Sequence, residues 1–161
     1  MTALSSIIRA IYYLIISKLQ FPSTYTNKIV RTDDGKEFKI FRHMHLKSNG
    51  QSENNAIFIV RFKFKKFSHN ANIRLSRIPI LLIAGFPGFR DKLWMIDRKT
   101  DYWQGIYQWK NLEAIENYKK SFVLGLMNKR AIHDSISYNI IKDRNIDDYL
   151  KNRMAKLYVN I

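Results

Sequence analysis

The sequence predicts an α+β fold built on an antiparallel sheet, and three patterns carry this prediction. Apolar and polar residues alternate through AIFIVRFKFKKF (56–67), which is the period of a strand with one buried face. Two further strand patterns, 89–96 and 102–109, are separated only by the polar turn DRKTD. A long helix is predicted next, because apolar residues keep helical spacing after the capping residue Asn111. These residues are Leu112, Ile115, Tyr118, Phe122 and Leu126.

The residues before this alternating strand are expected to form an N-terminal extension. Apolar residues of segment 1–21 repeat at helical intervals, which indicates an amphipathic helix. The turn DDG at 33–35 then separates two strand patterns, and Asp-Gly favours the positive φ of a tight hairpin. The polar run KSNGQSENN (47–55) is typical of a loop. We therefore predict an extension of helix and hairpin, residues 1–55, and a main domain, residues 56–161.

Further elements complete the main domain. A helix pattern over 71–85 contains Pro79, which is expected to break or kink it. The long helix is followed by a strand, SISYNII (135–141), and by a C-terminal helix over 145–159. The order of elements is then β-α-β-β-α-β, the ferredoxin-like arrangement with both helices on one face of the sheet. The other sheet face is expected to be open to a partner or ligand.

The composition excludes cysteine chemistry, and the positive charge raises the question whether the protein binds an anionic partner. The 161 residues include no cysteine, which excludes disulfides and thiol catalysis and fits a reducing compartment such as the cytoplasm. The formal net charge is +15, and from Phe38 to Arg90 ten Lys and Arg residues accompany one acid, Glu53. Such a charge attracts anionic lipid or nucleic acid. The alternative is a lysine-rich composition without a binding function.

Two segments are the candidate contacts for an anionic partner. The apolar run in segment 1–21 is interrupted by Arg9 and ends at Lys18, so it falls short of the ~20 apolar residues that span a bilayer. It is expected to pack on the domain or a partner subunit, or to make a peripheral contact with an anionic membrane. In RFKFKKF (61–67) the phenylalanines alternate away from the basic residues, which indicates a buried face with a solvated reverse. The aromatic motif of RNA-binding sheets is absent, so the sequence argues against nucleic acid.

The stretch GFPGFRDKLWMIDRKTDYWQGIYQW (85–109) and the helix after it resemble a known family. The positions that carry the resemblance are Pro87, Gly88 and Phe89 before a strand, Lys92 and Trp94 within it, Gly105, Ile106 and Tyr107 in the next strand, and Ala114 and Tyr118 on the helix. Over residues 56–142 the chain resembles monooxygenase-like proteins of the dimeric α+β barrel superfamily, relatives of the antibiotic-biosynthesis monooxygenases. The resemblance implies a homodimer whose subunits each keep a pocket between sheet and helices. Some members oxygenate polycyclic phenols without metal or flavin, and others degrade haem.

Strand alternation selects the candidate pocket residues. Side chains two apart on a strand share a face, and Gly105 would let a helix or ligand approach the backbone closely. An aromatic pocket with a few polar tips suits a planar aromatic ligand. The alternative is that the same rings fill the core and the dimer interface. The predicted pocket-lining residues are Arg90, Trp94, Trp103, Tyr107 and Trp109.

Oxygenation of a phenol would need a base, and His133 is the candidate by residue type. It lies beside Asp134 in a predicted loop, where a solvated histidine is the alternative. His43 and His45 point the same way on a predicted strand and could share a metal. No nearby acid or cysteine completes such a site in the sequence, so we expect no metal and no cofactor.

The sequence therefore predicts a dimeric α+β barrel protein. Its function is either cofactor-independent oxygenation of a planar aromatic molecule or the binding role of a non-catalytic relative. The alternative class is a binding module for an anionic surface, lipid or nucleic acid.

Overall fold

The structure, a computed structural model, describes residues 2–48 and 54–154. The elements in chain order are α1 (Ala3–Ile15), β1 (Leu19–Gln20), β2 (Ile29–Arg31), β3 (Glu37–Leu46), β4 (Ala56–Phe62), α2 (His69–Leu75), α3 (Pro79–Ala84), β5 (Phe89–Asp97), β6 (Tyr102–Trp109), α4 (Leu112–Lys119), α5 (Phe122–Arg130), a 3₁₀ turn (His133–Ser135), β7 (Ser137–Ile141) and α6 (Ile146–Leu150). None of the described helices has the length and apolar character needed to cross a membrane.

The strands form one antiparallel sheet in the order β1-β3-β5-β6-β4-β7, with β2 paired on β3. Strands β4 to β7 and the helices between them have the ferredoxin-like order, so the predicted α+β fold is confirmed. The predicted N-terminal helix and hairpin also form, and Gly35 has the positive φ of the turn, 78°. Strand β3 of the extension pairs with β5, which places Arg42 opposite Trp94. The sheet is thus continuous across residue 55, and the division into 1–55 and 56–161 stays a prediction.

Helices α2 and α3 form where the sequence predicts a broken helix. The Ser68 hydroxyl caps α2 by accepting from the Ala71 backbone N–H at 3.4 Å. Pro79 begins α3, where a missing backbone N–H breaks no helical hydrogen bond. The chain between them turns, so α3 lies against α1 as well as over the sheet.

The helix predicted after Asn111 is two helices, so the prediction of one long helix is wrong. Asn111 caps α4, but the Ser121 hydroxyl then accepts from the Leu124 backbone N–H at 3.5 Å and begins α5. The break changes the buried face. Phe122 and Leu126, which the continuous helical spacing places on the buried face, are exposed.

Both faces of the sheet carry an apolar core. The larger cluster lies on the face covered by α1 to α5 and contains most of the aromatic residues. On the other face Ile57 and Ile59 of β4 pack with Tyr149 and Leu150 of α6. The predicted solvated reverse of β4 is therefore wrong, because the C-terminal helix folds back over part of the face that was expected to be open. Residues 155–159 of the predicted C-terminal helix and residues 49–53 of the predicted loop lie outside the described residues.

Candidate ligand cavity

A cavity of about 520 Å³ lies between the sheet and helices α2, α3 and α5. Its volume is within the range of small-molecule sites, about 300–1,000 Å³. The sheet side is lined by Phe62, Lys92, Trp94, Trp103, Gln104, Gly105 and Tyr107. The opposite side is lined by Leu75, Ile78, Pro79, Leu82, Ile83, Val123, Leu126 and Met127, with Tyr118, Phe64, Phe67, Ser76, Lys129 and Arg130 completing it. The lining is therefore mainly apolar and aromatic.

Three of the five predicted pocket residues meet at this cavity, namely Trp94, Trp103 and Tyr107. Arg90 is not among the residues that line it. The pairing of β5 with β6 shifts register between Phe89 and Asp91, so the strict alternation that grouped Arg90 with Trp94 is interrupted at a β-bulge. The role of these residues in ligand binding stays a prediction.

Trp109 also lies outside the lining and is fully buried. The rings of Phe86, Phe89 and Tyr118 surround it at centroid distances of 5.9, 5.7 and 4.8 Å. Trp109 is thus packed in the core behind Tyr118. This agrees with the alternative given above, in which the aromatic rings fill the core.

Gly105 allows the cavity floor to be formed by a ring. It pairs with Trp94 on β5, and a Cβ atom at this position would lie 2.7 Å from Cε2 of Tyr107. A real Cβ does not tolerate such a distance, so any larger residue would displace the Tyr107 ring. The sequence predicted that a helix or a ligand would approach this glycine, but the group that approaches it in the structure is a side chain of the same strand.

Lys92 is the residue that the sequence analysis missed as a site residue. Strand alternation points it into the cavity beside Trp94, where it is 3% exposed. Its Nζ lies 4.0 Å from the centroid of the Trp94 ring and 4.1 Å from that of Tyr107. Among the described residues no carboxylate forms an ion pair with it. The sequence did contain a signal for it, because Lys92 is two residues from Trp94 and therefore shares the strand face of a predicted pocket residue.

Burial lowers the pKa of Lys92 well below its ordinary value, and the nearby Arg42 guanidinium adds to the effect. Contact with two aromatic rings acts in the opposite direction, because a cation–π contact stabilises the ammonium form by about 2 kcal/mol when desolvated. The cost of burying an unpaired ion is several kcal/mol. Burial and Arg42 thus favour the neutral amine, whereas the two rings favour the ammonium form.

Two tyrosines of the cavity lining, Tyr107 and Tyr118, carry polar hydroxyl groups. Burial raises the pKa of both Tyr107 and Tyr118, and each also feels the hydroxyl of the other. The two phenols therefore stay protonated at neutral pH. In this state each hydroxyl both donates and accepts a hydrogen bond.

His69 and Asp101 form a polar chain of contacts behind Trp103, on the side away from the cavity. The Trp103 Nε1–H donates to Nδ1 of His69 at 3.2 Å, and Nε2 of His69 lies 2.8 Å from Oδ1 of Asp101. Since Nδ1 accepts, the histidine proton sits on Nε2 and is donated to the carboxylate. The chain of contacts holds the Trp103 ring, and His69 stacks on it at 5.9 Å. Nothing in the sequence spacing links His69 to Trp103, because they meet only through the fold.

The cavity rim combines cationic and apolar side chains. Arg130 lies over the Phe64 ring at 4.8 Å and donates to Oδ1 of Asn72 at 3.0 Å. Burial lowers the pKa of Arg130. Phe67 and Ile78, both exposed, border the same cavity. This rim would suit a ligand with an apolar body and a polar or anionic outer end.

His133, the candidate base, lies in the 3₁₀ turn after α5. Its side chain is 95% exposed, and its Nδ1 lies 3.2 Å from Asp134. It is not among the residues that line the cavity. The location is that of a solvated loop histidine.

His43 and His45 have the nearby acid that the sequence did not reveal. Asp91 on β5 lies 2.8 Å from Nε2 of His43 and 2.8 Å from Nδ1 of His45, so one carboxylate bridges both rings. The expectation that no acid is near was wrong, because β3 pairs with β5 and sets His45 opposite Asp91. The three side chains occupy the sheet face opposite the cavity. Within residues 2–48 and 54–154 no group of three or more such ligands has a geometry that could hold a metal ion.

No family model matches the chain, and no curated protein matches it in sequence. Solved structures match its fold. A ferredoxin-fold protein related to antibiotic biosynthesis monooxygenases, from Listeria monocytogenes 4b F2365, has a TM-score of 0.51 at 10% identity over 84% of this chain and 88% of that one. The heme-degrading enzyme LmHde from Listeria monocytogenes has a TM-score of 0.51 at 10% identity over 84% of this chain and 92% of that one.

An anthrone oxidase-like protein has a TM-score of 0.51 at 11% identity over 68% of this chain. The match spans 55% of the length of that protein. Identities of 10–11% establish the fold and no more. The resemblance seen in the sequence is thereby confirmed for the architecture: this chain has the ferredoxin-like fold of proteins related to the antibiotic biosynthesis monooxygenases.

Proposed function

We propose that the protein binds a planar aromatic molecule with an acidic hydroxyl group in the cavity and oxygenates it with O₂ without a cofactor. The observation that carries the proposal is the unpaired amine of Lys92 between the rings of Trp94 and Tyr107. An apolar, aromatic-lined cavity supplies stacking surface for a flat ligand, and one buried amine supplies orientation. The fold it shares with monooxygenase-related proteins suggests the class of reaction.

The chemistry begins with a proton transfer. The neutral amine of Lys92 accepts the proton of the ligand hydroxyl, and the resulting ammonium pairs with the phenolate. The electron-rich anion gives one electron to O₂, and the two radicals combine to a peroxide at a ring carbon that carries hydrogen. Loss of water from the peroxide leaves a ketone. One O₂ is consumed, with one oxygen atom in the ketone and the other in water. One hydrogen atom of the water comes from the oxidised ring carbon, and the other is the hydroxyl proton, which the Lys92 ammonium returns to the peroxide as it breaks down.

A haem ligand suits the cavity less well. None of the described lining residues is a histidine or a cysteine, the ligands that hold haem iron in globins, peroxidases and P450s. Tyrosine ligates haem iron in catalase. Burial raises the pKa of Tyr107 and Tyr118, which disfavours the phenolate form that such a ligand needs. We derive no step through haem.

Binding is tested by titrating the protein with a hydroxyanthracene and following tryptophan fluorescence. We expect quenching, because Trp94 and Trp103 line the cavity. Lys92→Met is expected to weaken binding by at least tenfold, about 1.4 kcal/mol, through loss of the ion pair. Arg90→Ala is the control, because Arg90 lies outside the lining. Absence of quenching by any planar phenol would contradict the proposal, and loss of binding in Arg90→Ala would favour the sequence-based location of the site.

Oxygenation is tested separately from binding. An oxygen electrode should record one O₂ consumed per anthrone converted, in buffer that contains a metal chelator. Lys92→Met should abolish this uptake. If the wild type binds the phenol tightly yet consumes no oxygen, the protein is a binding relative and the catalytic half of the proposal fails.

A second candidate function is peripheral binding to an anionic membrane through α1. The helix buries Ser6 and Ala10 toward the domain, whereas Ile8 and Ile15 are 59% and 76% exposed. The first acidic residue of the chain is Asp33, so the apolar helix carries no charge that an anionic lipid would repel. An exposed apolar helix face combined with net positive charge favours the interface of such a bilayer.

This candidate is tested by sedimentation with vesicles of phosphatidylglycerol or phosphatidylcholine. We expect binding to the anionic vesicles only, lost in the double variant Ile8→Glu and Ile15→Glu. Ile132→Glu, another exposed apolar position outside α1, should bind like the wild type. Equal binding of all three proteins, or of none, would contradict a role for α1.

A further inference from the structure

We infer that Lys92 forms a covalent imine with an aromatic aldehyde or ketone held in the cavity. The inference rests on the ligand site proposed above. It extends that site from phenols to carbonyl compounds and gives the amine a nucleophilic role in addition to proton transfer.

Of the two lysines that line the cavity, Lys92 and Lys129, only Lys92 is buried. Lys92 is 3% exposed, and its Nζ lies about 4 Å from the ring centroids of Trp94 and Tyr107. Among the residues that the structure describes, no carboxylate reaches it. Buried lysines that serve only the fold are normally paired, because an unpaired buried charge is costly. Lys92 is instead unpaired and lies in the wall of a cavity, where its amine can contact a ligand.

The surroundings also activate the amine as a nucleophile. Lysine becomes nucleophilic near neutral pH when it is desolvated in an apolar pocket or lies near a second cation. Lys92 meets both conditions, since the cavity is apolar and Arg42 also stands over the Trp94 ring, at 5.6 Å from its centroid. Burial first, and then Arg42, lowers the pKa of Lys92 well below its ordinary value. The neutral form, which has the free electron pair, is therefore favoured.

Imine formation needs no oxidant and no cofactor. The electron pair of Nζ attacks the carbonyl carbon, and the C=O π bond opens to a carbinolamine after a proton moves from nitrogen to oxygen. The carbinolamine then loses its hydroxyl group and the second Nζ proton as water, which leaves the C=N bond. The Tyr107 side chain also lines the cavity, and its hydroxyl, protonated because burial raises its pKa, supplies the proton for the departing oxygen.

The inference is tested with a hydroxynaphthaldehyde as probe and cyanoborohydride as reductant, which converts the imine to a stable secondary amine. Roughly one in a thousand ordinary lysine side chains is neutral at about pH 7.5. Labelling at this pH should therefore select Lys92 among the lysine side chains. We expect peptide mapping by mass spectrometry to find one lysine adduct per chain, on Lys92, counted separately from any adduct on the α-amino group, whose ordinary pKa is about 8.

Matched variants separate cavity labelling from surface labelling. Lys63 is the control, because its Nζ also stands over an aromatic ring, Tyr102 at 4.7 Å, but outside the cavity. Lys92→Met should lose the adduct at least tenfold, and Lys63→Met should keep it. If Lys92→Met does not fold, as judged by circular dichroism, the peptide map of the wild type decides the question alone.

The outcomes distinguish this inference from the proposed function. If the hydroxyanthracene binds but no adduct forms on Lys92, the imine inference is overturned and the proposed function stands. Adducts spread over other lysines with none on Lys92 overturn it as well. If neither phenol nor aldehyde occupies the cavity, both are overturned. A Lys92 adduct without affinity for the phenol supports the imine and contradicts the phenol as ligand.

Discussion

Gly105 and Tyr107 are packed so closely that the position of a Cβ on Gly105 lies 2.7 Å from Cε2 of the tyrosine. The ring therefore lies along its own strand over Gly105, and it forms part of the cavity floor beside Lys92. The shape of the cavity depends on this absent side chain.

Gly105→Ala is expected to destabilise the protein by about 1–3 kcal/mol, the usual cost of overpacking a core. The ring of Tyr107 must move into the cavity, so affinity for a planar phenol should fall as well. Gly125→Ala is the matched control, because a Cβ there has nothing within 4 Å and alanine favours the interior of α5 by about 0.5–1 kcal/mol. Chemical denaturation measures the stability of the two variants, and tryptophan fluorescence titration measures their affinity for the phenol. A stable Gly105→Ala with unchanged affinity would show that the Tyr107 ring moves freely.

Lys92 should make stability rise with pH. Its folded pKa is lowered from the ordinary 10.5 by burial and by Arg42, so between the two pKa values the unfolded chain binds more protons than the folded one. Stability therefore increases as pH rises through this window. The free energy of unfolding of the wild type should rise relative to that of Lys92→Met as pH rises toward about 10. Parallel curves for the two proteins would contradict an unpaired buried amine.

The buried tyrosines set the upper limit of the pH range in which stability rises. Burial raises the pKa of Tyr107 and Tyr118, so above about pH 10 the unfolded chain loses phenolic protons that the folded chain keeps. Stability should fall there in both proteins. The comparison with Lys92→Met is therefore made below that pH.

His45 should contribute in the opposite sense. Its hydrogen bond to Asp91 raises its pKa above the ordinary 6.5, against partial burial, and Asp147 adds to the increase. The stabilisation is fully present below pH 6.5 and is lost as pH rises through the raised value. His45→Gln should thus be less stable than the wild type at acid pH, with a difference that shrinks as pH rises. The side chain is partly exposed, so a modest difference is expected, and one that grows toward alkaline pH would contradict the prediction.

The predicted homodimer is tested by the mass in solution. The resemblance predicts that the open sheet faces of two subunits pack against each other. In the structure α6 covers part of that face, and strand β7 is an edge of the sheet, so the uncovered part and this edge are the surfaces left for a second subunit. We expect light scattering at micromolar concentration to give twice the mass of one chain. A monomer mass that persists at higher concentration would contradict the dimer.

Local patterns accounted for most elements and for three of the five predicted pocket residues. Alternation along β5 and β6 brings Trp94, Trp103 and Tyr107 to one cavity, because side-chain direction in a strand has a period of two. The same rule failed at Arg90, where a bulge interrupts the period. It also could not reveal Asp91 beside His45, since that contact depends on the pairing of strands far apart in the chain.

The sequence by itself determined the order of elements, the break at Pro79, the hairpin at Gly35 and the strand faces of the cavity floor, because each follows from backbone geometry or from a short period. Only the tertiary structure decided that Lys92 is an unpaired amine between two rings and that α6 covers the second face of the sheet. Both depend on which groups approach from elsewhere in the chain. The pKa of a lysine and the burial of a strand face are set by those neighbours and by the exclusion of water, and no local pattern records them.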